Sequence, residues 1–462
     1  MRGRFNPSGW VGPSVMKEKG KRKKEKIGPC VSASSLLGAR HLRRSSFLVL
    51  TFAFCLLPFG FVSAHEPITT KVRFNKEVVR ILQRSCLGCH RPGGIAMSLA
   101  TYEEARPWAK AIKEELLERR MPPWHAVKGY GEFRNAPSLT QRDIDLIVNW
   151  VEGGAPKGDE KDLPATSLFS NDWQLGKPDL TLKPDIESKI AADVDEYRSF
   201  VLAPNLKEDR WLTAIDLQPG NGAVVHCAKF YALKSVVDAP VASMMQVKNE
   251  ESSSLVDLRY APVLATWMPG QKPVALDDSV ALLLPAGLRI AVKIHYRGMG
   301  EASADLSTVG LYFAKTPPRK PVQEIAITNA DAIIPVAAEP HRLKVSFTTQ
   351  SETEAIAIRP RVHPLVVSLQ ATAYRPDGSE EVLIWTRGYQ FDWEPTYYFK
   401  QPVALPKGTR VDVIAYFDNS EGNQKNPNDP PKSQRWSDLT TDALCALLVV
   451  SNVSATGTAA TR

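Results

Sequence analysis

Cysteine is scarce in this chain, with only six in 462 residues. Two of them lie within the first 64 residues, and Cys86 and Cys89 stand three positions apart in one short motif. The other two, Cys227 and Cys445, leave room for one disulfide bridge at most. The sequence therefore excludes a disulfide-dense framework and leaves a Cys227–Cys445 bridge open.

The net positive charge of this chain is confined to its first 64 residues. That stretch holds 12 Lys and Arg against 2 Asp and Glu, a charge of +10, whereas the whole chain carries +8. The remainder therefore carries −2 and offers no basic footprint for nucleic acid. It also lacks an apolar run of membrane length, so we expect no stable membrane span in the mature chain.

Residues 1–64 have the composition of a leader with a signal peptide. Arg43-Arg44 precedes the apolar run 47–62, which ends in small residues suited to cleavage. The run is short for a membrane span and Pro58 interrupts it, which favours removal over anchoring. The sequence predicts an exported bacterial protein, periplasmic or secreted.

Hydrophobic periodicity divides the rest of the chain. A helical period first predicts a small all-α domain, in which Thr140 and Asp143 fit the start of a helix. A stretch rich in Gly, Pro and Asp follows, and alternation then predicts two all-β sandwiches. The predicted units are 65–157 (helical), 158–171 (linker), 172–320 and 321–455 (β), and 456–462 (tail).

The motif Cys86-Leu87-Gly88-Cys89-His90 is the attachment signature of a c-type haem. Its two thiols can each bond a porphyrin vinyl group, and His90 can ligate the iron. Half of a zinc site is the alternative. The motif lies in the predicted helical unit, which therefore favours a small cytochrome c domain.

Two methionines are candidates for the sixth iron ligand. Met121 follows a predicted helix and precedes two prolines that stiffen its loop, whereas Met97 lies seven residues after His90. A thioether opposite histidine raises the reduction potential and suits electron transfer. We predict Met121 as the ligand, with core packing as the alternative role for either methionine.

The β half contains a further set of soft ligands. His226 and Cys227 are adjacent in one strand-like run, and His295 ends another run in which apolar residues alternate with polar ones. His295 falls opposite the apolar face, which leaves a solvated histidine as its ordinary interpretation. Adjacent strand residues point to opposite faces, which counts against joint ligation by His226 and Cys227. Imidazole and thiolate together nevertheless suit copper.

The β half resembles the copper type II, ascorbate-dependent monooxygenases, the peptidylglycine α-hydroxylating group, in the bacterial form fused behind a cytochrome c. The resemblance covers roughly residues 172–450 and implies two jelly-roll sandwiches. The motifs that carry it are Val225-His226, Trp267-Met268-Pro269-Gly270, Ile294-His295-Tyr296, Phe391-Asp392-Trp393, Leu405-Pro406-Lys407-Gly408-Thr409 and Asp418-Asn419-Ser420.

The resemblance implies two separate coppers, one for electron transfer and one for oxygen activation. For the first, it implies ligation by His226, by Cys227 in place of a second histidine, and by His295. For the second, His363 is retained, while Arg361 and Leu444 stand where ligands belong. Neither side chain offers a lone pair to a metal, so we expect the oxygen-activating site to be lost and copper to bind at one site at most.

Three functions follow from these patterns. The first is an exported haem c electron-transfer protein that works with a redox partner protein or a small reductant. The second is an active copper monooxygenase acting on a peptide or small-molecule substrate, with electrons from the fused cytochrome. The third is a ligand-binding module with a haem sensor. The losses at Arg361 and Leu444 favour the first and the third.

Overall fold

A computed structural model describes residues 68–137, 139–165, 173–233, 258, 261–277, 279–361, 363–388, 393–439 and 444–451. The predicted leader, the tail and residues 166–171 of the predicted linker lie outside the described residues. Within the described part, the protein is mostly β-sheet with a few short helices, and no helix is both long and apolar enough to cross a membrane.

Four of the five α-helices precede the first strand. Their bounds are α1 (Val79–Ser85), α2 (Tyr102–Ala105), α3 (Ala109–Leu117), α4 (Gln141–Glu152) and α5 (Trp436–Leu439). A π-helical turn, Phe74–Val78, leads into α1. Short 3₁₀ turns lie at Arg106–Trp108 and Glu160–Asp162.

Local sequence explains where α4 begins and what it buries. The Thr140 hydroxyl accepts from the Asp143 amide, and the Asp143 carboxylate accepts from the Thr140 amide, so the predicted helix start is confirmed. Apolar residues at helical spacing on α4 then face the same core as α1 and α3. The buried members of this helical core are Phe74, Val78, Val79, Ile81, Leu82, Leu87, Leu99, Ala105, Ala109, Leu116, Ile144, Ile147, Trp150, Val151 and Ala155.

Twenty strands make up the rest of the described chain. They are β1 (Leu180–Leu182), β2 (Ser188–Ile190), β3 (Asp195–Leu202), β4 (Arg210–Gln218), β5 (Val225–Leu233), β6 (Val263–Trp267), β7 (Val280–Leu284), β8 (Arg289–Arg297), β9 (Ser303–Asp305), β10 (Thr308–Phe313), β11 (Lys320–Ile327), β12 (Ile333–Ile334), β13 (His341–Thr348), β14 (Thr353–Pro360), β15 (Val366–Tyr374), β16 (Glu380–Arg387), β17 (Tyr397–Leu405), β18 (Arg410–Phe417), β19 (Gln434–Arg435) and β20 (Cys445–Ser451).

The strands form two β-sandwiches that share one sheet. This sheet has eight strands in the order β1-β10-β4-β7-β11-β20-β14-β17. Its first four strands pack against the sheet β3-β8-β5-β6, and its last four pack against β13-β18-β15-β16. The sandwiches join where β7 pairs with β11 in parallel, with Lys320 opposite Val280. Each sandwich has its own buried apolar core.

Residues 124–135, which we call the strap, leave the helical segment and pack on the second sandwich. Ala126 bridges Thr386 on the edge strand β16, and Phe133 bridges Phe399 on the edge strand β17 of the other sheet. Phe133 is itself part of the second sandwich's core. The helical segment and the second sandwich are therefore physically joined, although the predicted units placed residues 65–157 in a domain of their own.

The last two cysteines do not form the bridge that the sequence left open. Cys227 lies in β5 of the first sandwich, and Cys445 begins β20 of the second. No disulfide joins them in the described chain. Both side chains are buried, and they lie in two separate apolar clusters.

Candidate functional site

The Cys86–His90 motif forms a tight turn directly after α1. The amide of Cys86 donates to the Leu82 carbonyl at 2.8 Å, which continues the helical bonding. The amides of Cys89 and His90 both donate to the Cys86 carbonyl, at 3.1 and 3.0 Å. This winding places both partly exposed cysteines and His90 within one turn of chain.

His90 is oriented by the loop that follows it. Its Nδ1 lies 3.1 Å from the Met97 carbonyl oxygen, and the Leu99 amide donates to the His90 carbonyl at 3.0 Å. A carbonyl can only accept, so Nδ1 carries the proton and Nε2 keeps its lone pair. Burial lowers the pKa of His90, which keeps the ring neutral. Met97 thus contributes its backbone to the site.

The two thiols do not have the properties of a redox-active dithiol. Burial raises the pKa of both Cys86 and Cys89 to about 12, in Cys86 with help from the neighbouring Cys89. Dithiols that exchange electrons lower the pKa of the attacking thiol instead. Burial therefore keeps both thiols protonated, unlike the attacking thiol of a redox-active dithiol.

Met121 lies between the end of α3 and the strap. Its amide lies 3.3 Å from the Glu115 carbonyl oxygen, and its side chain is partly exposed. Met121 is absent from the described buried core of the helical segment, so core packing does not account for it. Its assignment as an iron ligand stays a prediction.

The structure brings His226, Cys227 and His295 together. Each offers one ligand atom, and these atoms lie within 4.8 Å of one another. In the ladder between β5 and β8, Cys227 pairs with His295 and Val225 pairs with Tyr296, so His226 is an extra residue at a β-bulge. The bulge removes the objection from strand alternation, because it lets neighbouring side chains turn toward the same point.

His295 is held by a carboxylate on the adjacent strand. Its Nε2 lies 2.5 Å from Asp195 Oδ1, and Tyr197 stacks on the ring at 4.4 Å between centroids. The hydrogen bond to His295, with smaller help from Arg297, lowers the pKa of Asp195 to about 2. His295 Nδ1 is buried and has no hydrogen-bond partner among the described residues.

The interpretation of His295 as a solvated histidine is wrong. Only 2 % of the residue is exposed. It does lie opposite the apolar face of β8, whose Ile290, Val292 and Ile294 enter the first core. The other face of the strand is covered too, by Tyr197 and by the His226 ring, whose centroid is 5.0 Å away.

The haem-type motif and the His-Cys-His group touch through a small apolar cluster. Cys227, Met268 and Trp393 pack together, and Cys89 packs against them. The Cys89 thiol also lies 3.2 Å from the Pro269 carbonyl oxygen. The contact depends on glycine, because a Cβ on Gly270 would lie 2.7 Å from Cys89 Sγ. Two motifs that are far apart in sequence are therefore neighbours in space.

The backbones also approach closely at this contact. A Cβ on Gly88 would lie 2.7 Å from the Gly270 Cα, and Gly270 has a φ of +74°, which a side chain would strain. Gly88 is the middle of the Cys86–His90 motif. The loop 267–270 is therefore shaped to receive this motif.

An ion pair occupies the region predicted for the second metal. Arg361 Nη1 lies 2.7 Å from Glu394 Oε1, and the Lys229 ammonium group contacts the other oxygen of Glu394. The Arg361 amide donates to the Leu444 carbonyl at 2.9 Å, so these two positions are adjacent. Burial, together with the Arg361 charge, lowers the pKa of His363 to about 3. The Arg361 guanidinium thus acts on His363, and Leu444 adjoins Arg361.

Sequence reasoning missed several residues of this site. Asp195 lies in an acidic run that gave no sign of its contact with His295, because that contact depends on strand pairing. Glu394 gave no sign of its charge pairing with Lys229 and Arg361. Met268 and Trp393 appeared in the resemblance motifs but without a role.

Within the described residues, His226, Cys227 and His295 form the one group of three or more His, Cys, Asp or Glu side chains placed to hold a metal ion. The described residues around His363 form no such group. The arrangement therefore offers a haem attachment motif and one compact soft-ligand site, in contact through Cys89 and Met268.

Comparison with known proteins adds little to this picture. No family model matches the chain, and no curated protein matches it. Among solved structures, it is similar to PNGF-II at 10% identity and a TM-score of 0.25, over 59% of this chain and 65% of that one. It is also similar to the VP2 subviral particle of infectious bursal disease virus (11%, TM-score 0.15, 59% and 75%). These similarities are too weak to carry a functional argument.

Proposed function

We propose that this protein transfers electrons through a c-type haem and a neighbouring copper ion. The haem would be bound by Cys86, Cys89 and His90, with Met121 as the second axial ligand. The copper would be bound by His226, Cys227 and His295. The observation that carries the proposal is the contact between the two sites, in which Cys89 packs against the cluster of Cys227, Met268 and Trp393.

The residues fit a haem in two respects. The motif has the required spacing, and His90 is fixed in the tautomer that leaves Nε2 for iron. When bound, the haem supplies reversible one-electron chemistry, whose potential a methionine ligand raises. We also propose that the helical segment is a cytochrome c-like domain and that the two sandwiches are jelly rolls.

The His-Cys-His group fits copper. Two imidazoles and one thiolate are the ligands that electron-transfer copper prefers. Asp195 orients His295 through Nε2, which leaves the buried Nδ1 to the metal, as is usual for a ligating histidine with a carboxylate behind it. The burial of Cys227 and His295 excludes water from that side of the site.

The second site argues against oxygen activation. The Arg361 guanidinium has no lone pair for a metal, and it is paired with Glu394 at 2.7 Å. A metal cation there would meet the charges of Arg361 and Lys229. We therefore propose electron transfer over copper monooxygenase activity, and no contact in the described chain favours a haem sensor.

The proposal includes location and partners. The signal-like leader and the haem motif together favour export to the periplasm or beyond, since c-type haem attachment and free exchange with a redox partner suit that setting. Electrons would come from or go to a redox partner protein or a small reductant. Nothing in the mature charge pattern favours nucleic acid.

Metal analysis of the purified full chain, expressed with haem maturation, tests the proposal. We expect one iron and one copper per chain, and a Soret band that survives denaturation because the haem is covalently bound. His295→Ala should lose the copper and keep the haem, whereas His341→Ala, on β13 of the other sandwich, should keep both. Iron without covalent haem would refute the first half, and copper retained by His295→Ala would refute the second.

A further inference from the structure

The strap is hydrogen-bonded to the second sandwich at both of its ends. At its start, the Val127 amide donates to the Trp385 carbonyl at 2.8 Å, and the Arg387 amide donates to the His125 carbonyl at 3.1 Å. At its end, the Lys400 amide donates to the Glu132 carbonyl at 2.8 Å. The strap thus satisfies backbone groups on the outer edges of both facing sheets.

Aromatic packing fixes the strap further. The Trp124 ring meets the Tyr397 ring edge-on at 4.7 Å between centroids, and Phe133 meets Tyr397 at 5.2 Å. Tyr130 meets Trp385 at 5.0 Å. Edge-to-face pairs of this kind are favourable beyond the burial of their area. The strap is therefore a fixed part of the second sandwich.

Met121 lies between two packed anchors. On one side, Leu116 is buried in the helical core. On the other side, Trp124 packs against the core of the second sandwich. The two residues between Met121 and Trp124 are both proline. Their rings restrict the backbone, so the position of Trp124 limits the positions that Met121 can take.

We propose that the second sandwich positions Met121, so that the strap's contacts with β16 and β17 would set how firmly this thioether occupies the sixth position of the iron. This inference rests on the proposed haem ligation by Met121. The strap residues are not among the proposed iron ligands and contact the second sandwich instead, so they are positioning residues. The helical segment alone would leave the Met121 loop anchored at one end only.

Competition by a small ligand measures this positioning. Imidazole binds the iron only when Met121 has left it, so its apparent affinity is proportional to the fraction of molecules in which the sixth position is open. A strap variant that raises this fraction tenfold therefore tightens imidazole binding by about tenfold. The titration is followed in the visible spectrum of the haem-loaded full chain.

Two strap variants and two controls make the test specific. Phe133→Ala removes a core anchor, and Tyr130→Ala removes a half-exposed ring, so the second folds even if the first does not. The first control, Leu117→Ala, changes a residue that is closer to Met121 along the chain but lies on the exposed side of α3. Tyr416→Ala alters an exposed ring of the same sandwich, outside the strap. Near-ultraviolet circular dichroism checks that each variant is folded.

We expect Met121→Ala to open the sixth position fully, the strap variants to tighten imidazole binding about tenfold, and both controls to match the parent protein. If Met121→Ala opens the site but folded strap variants bind imidazole like the parent, the positioning role is overturned and the haem assignment stands. If Met121→Ala leaves the spectrum and the imidazole affinity unchanged, Met121 is not the iron ligand, and the positioning role fails as well. Equal tightening by Leu117→Ala would also overturn it, since the effect would then not come from the strap.

Discussion

Replacing Glu394 by Gln should destabilise the protein strongly. Glu394 contacts two cations, Lys229 of the first sandwich and Arg361 of the second. The exposed fractions of these side chains are 10% for Glu394, 14% for Lys229 and 9% for Arg361. The substitution would leave two positive charges in a poorly hydrated region without the carboxylate between them.

The size of the effect follows from burial. Removing one partner of a buried ion pair costs about 3–5 kcal/mol, because the remaining charge loses both water and its counter-ion. The exposed pair Arg435–Asp331, at 3.4 Å and with side chains 60% and 87% exposed, is the matched control. Asp331→Asn should change the free energy of unfolding by less than about 1 kcal/mol.

Urea unfolding followed by tryptophan fluorescence measures both variants, and a double-mutant cycle completes the test. Adding Arg361→Met to Glu394→Gln removes one unpaired cation, so the double variant should be more stable than the sum of the single effects by about 0.5–3 kcal/mol. A Glu394→Gln effect no larger than that of Asp331→Asn would refute the reasoning. It would mean that water screens these charges and that a metal cation could be accommodated beside His363.

Two further outcomes are expected. Asp195→Asn should weaken copper binding by about tenfold, because Asp195 orients His295. The haem spectrum should stay unchanged, since Asp195 is not a residue of the haem motif. A competition titration with a copper chelator measures the affinity, and equal affinities in the variant and the parent would count against the assignment. Asp216→Asn should raise the free energy of unfolding by about 1–3 kcal/mol above pH 6. Burial raises the pKa of Asp216 from 3.8 to about 6, so the parent protein loses stability as the pH rises between these two values, where the unfolded chain ionises first. Below about pH 3, where the carboxyl is protonated in both states, the two proteins should be equally stable. A constant difference at all pH values would contradict the linkage argument.

Features fixed by neighbouring residues could be predicted from the sequence. The start of α4 at Thr140 depends on a hydroxyl and a carboxylate three residues apart, and the structure confirms it. The apolar face of β8 follows from alternation alone, and Ile290, Val292 and Ile294 lie in the first core as expected. The predominance of β-structure after the helical segment follows in the same way.

Features that depend on pairing between distant strands could not be predicted. The bulge at His226 exists only in the register with β8, so strand alternation gave the wrong geometry for His226 and Cys227. The burial of His295 needs Tyr197 from a third strand. The strap pairs with strands more than 200 residues further along the chain, and no local pattern in residues 124–135 records their partners.

The shared sheet has a consequence for any attempt to study the halves apart. Where β7 meets β11, each strand satisfies backbone amides and carbonyls of the other, and both belong to the interior of one ladder. Separate expression of either half would turn that interior position into an open margin of unsatisfied backbone groups. Each isolated half should therefore self-associate along this margin, and co-expression should suppress the association by restoring the natural neighbour.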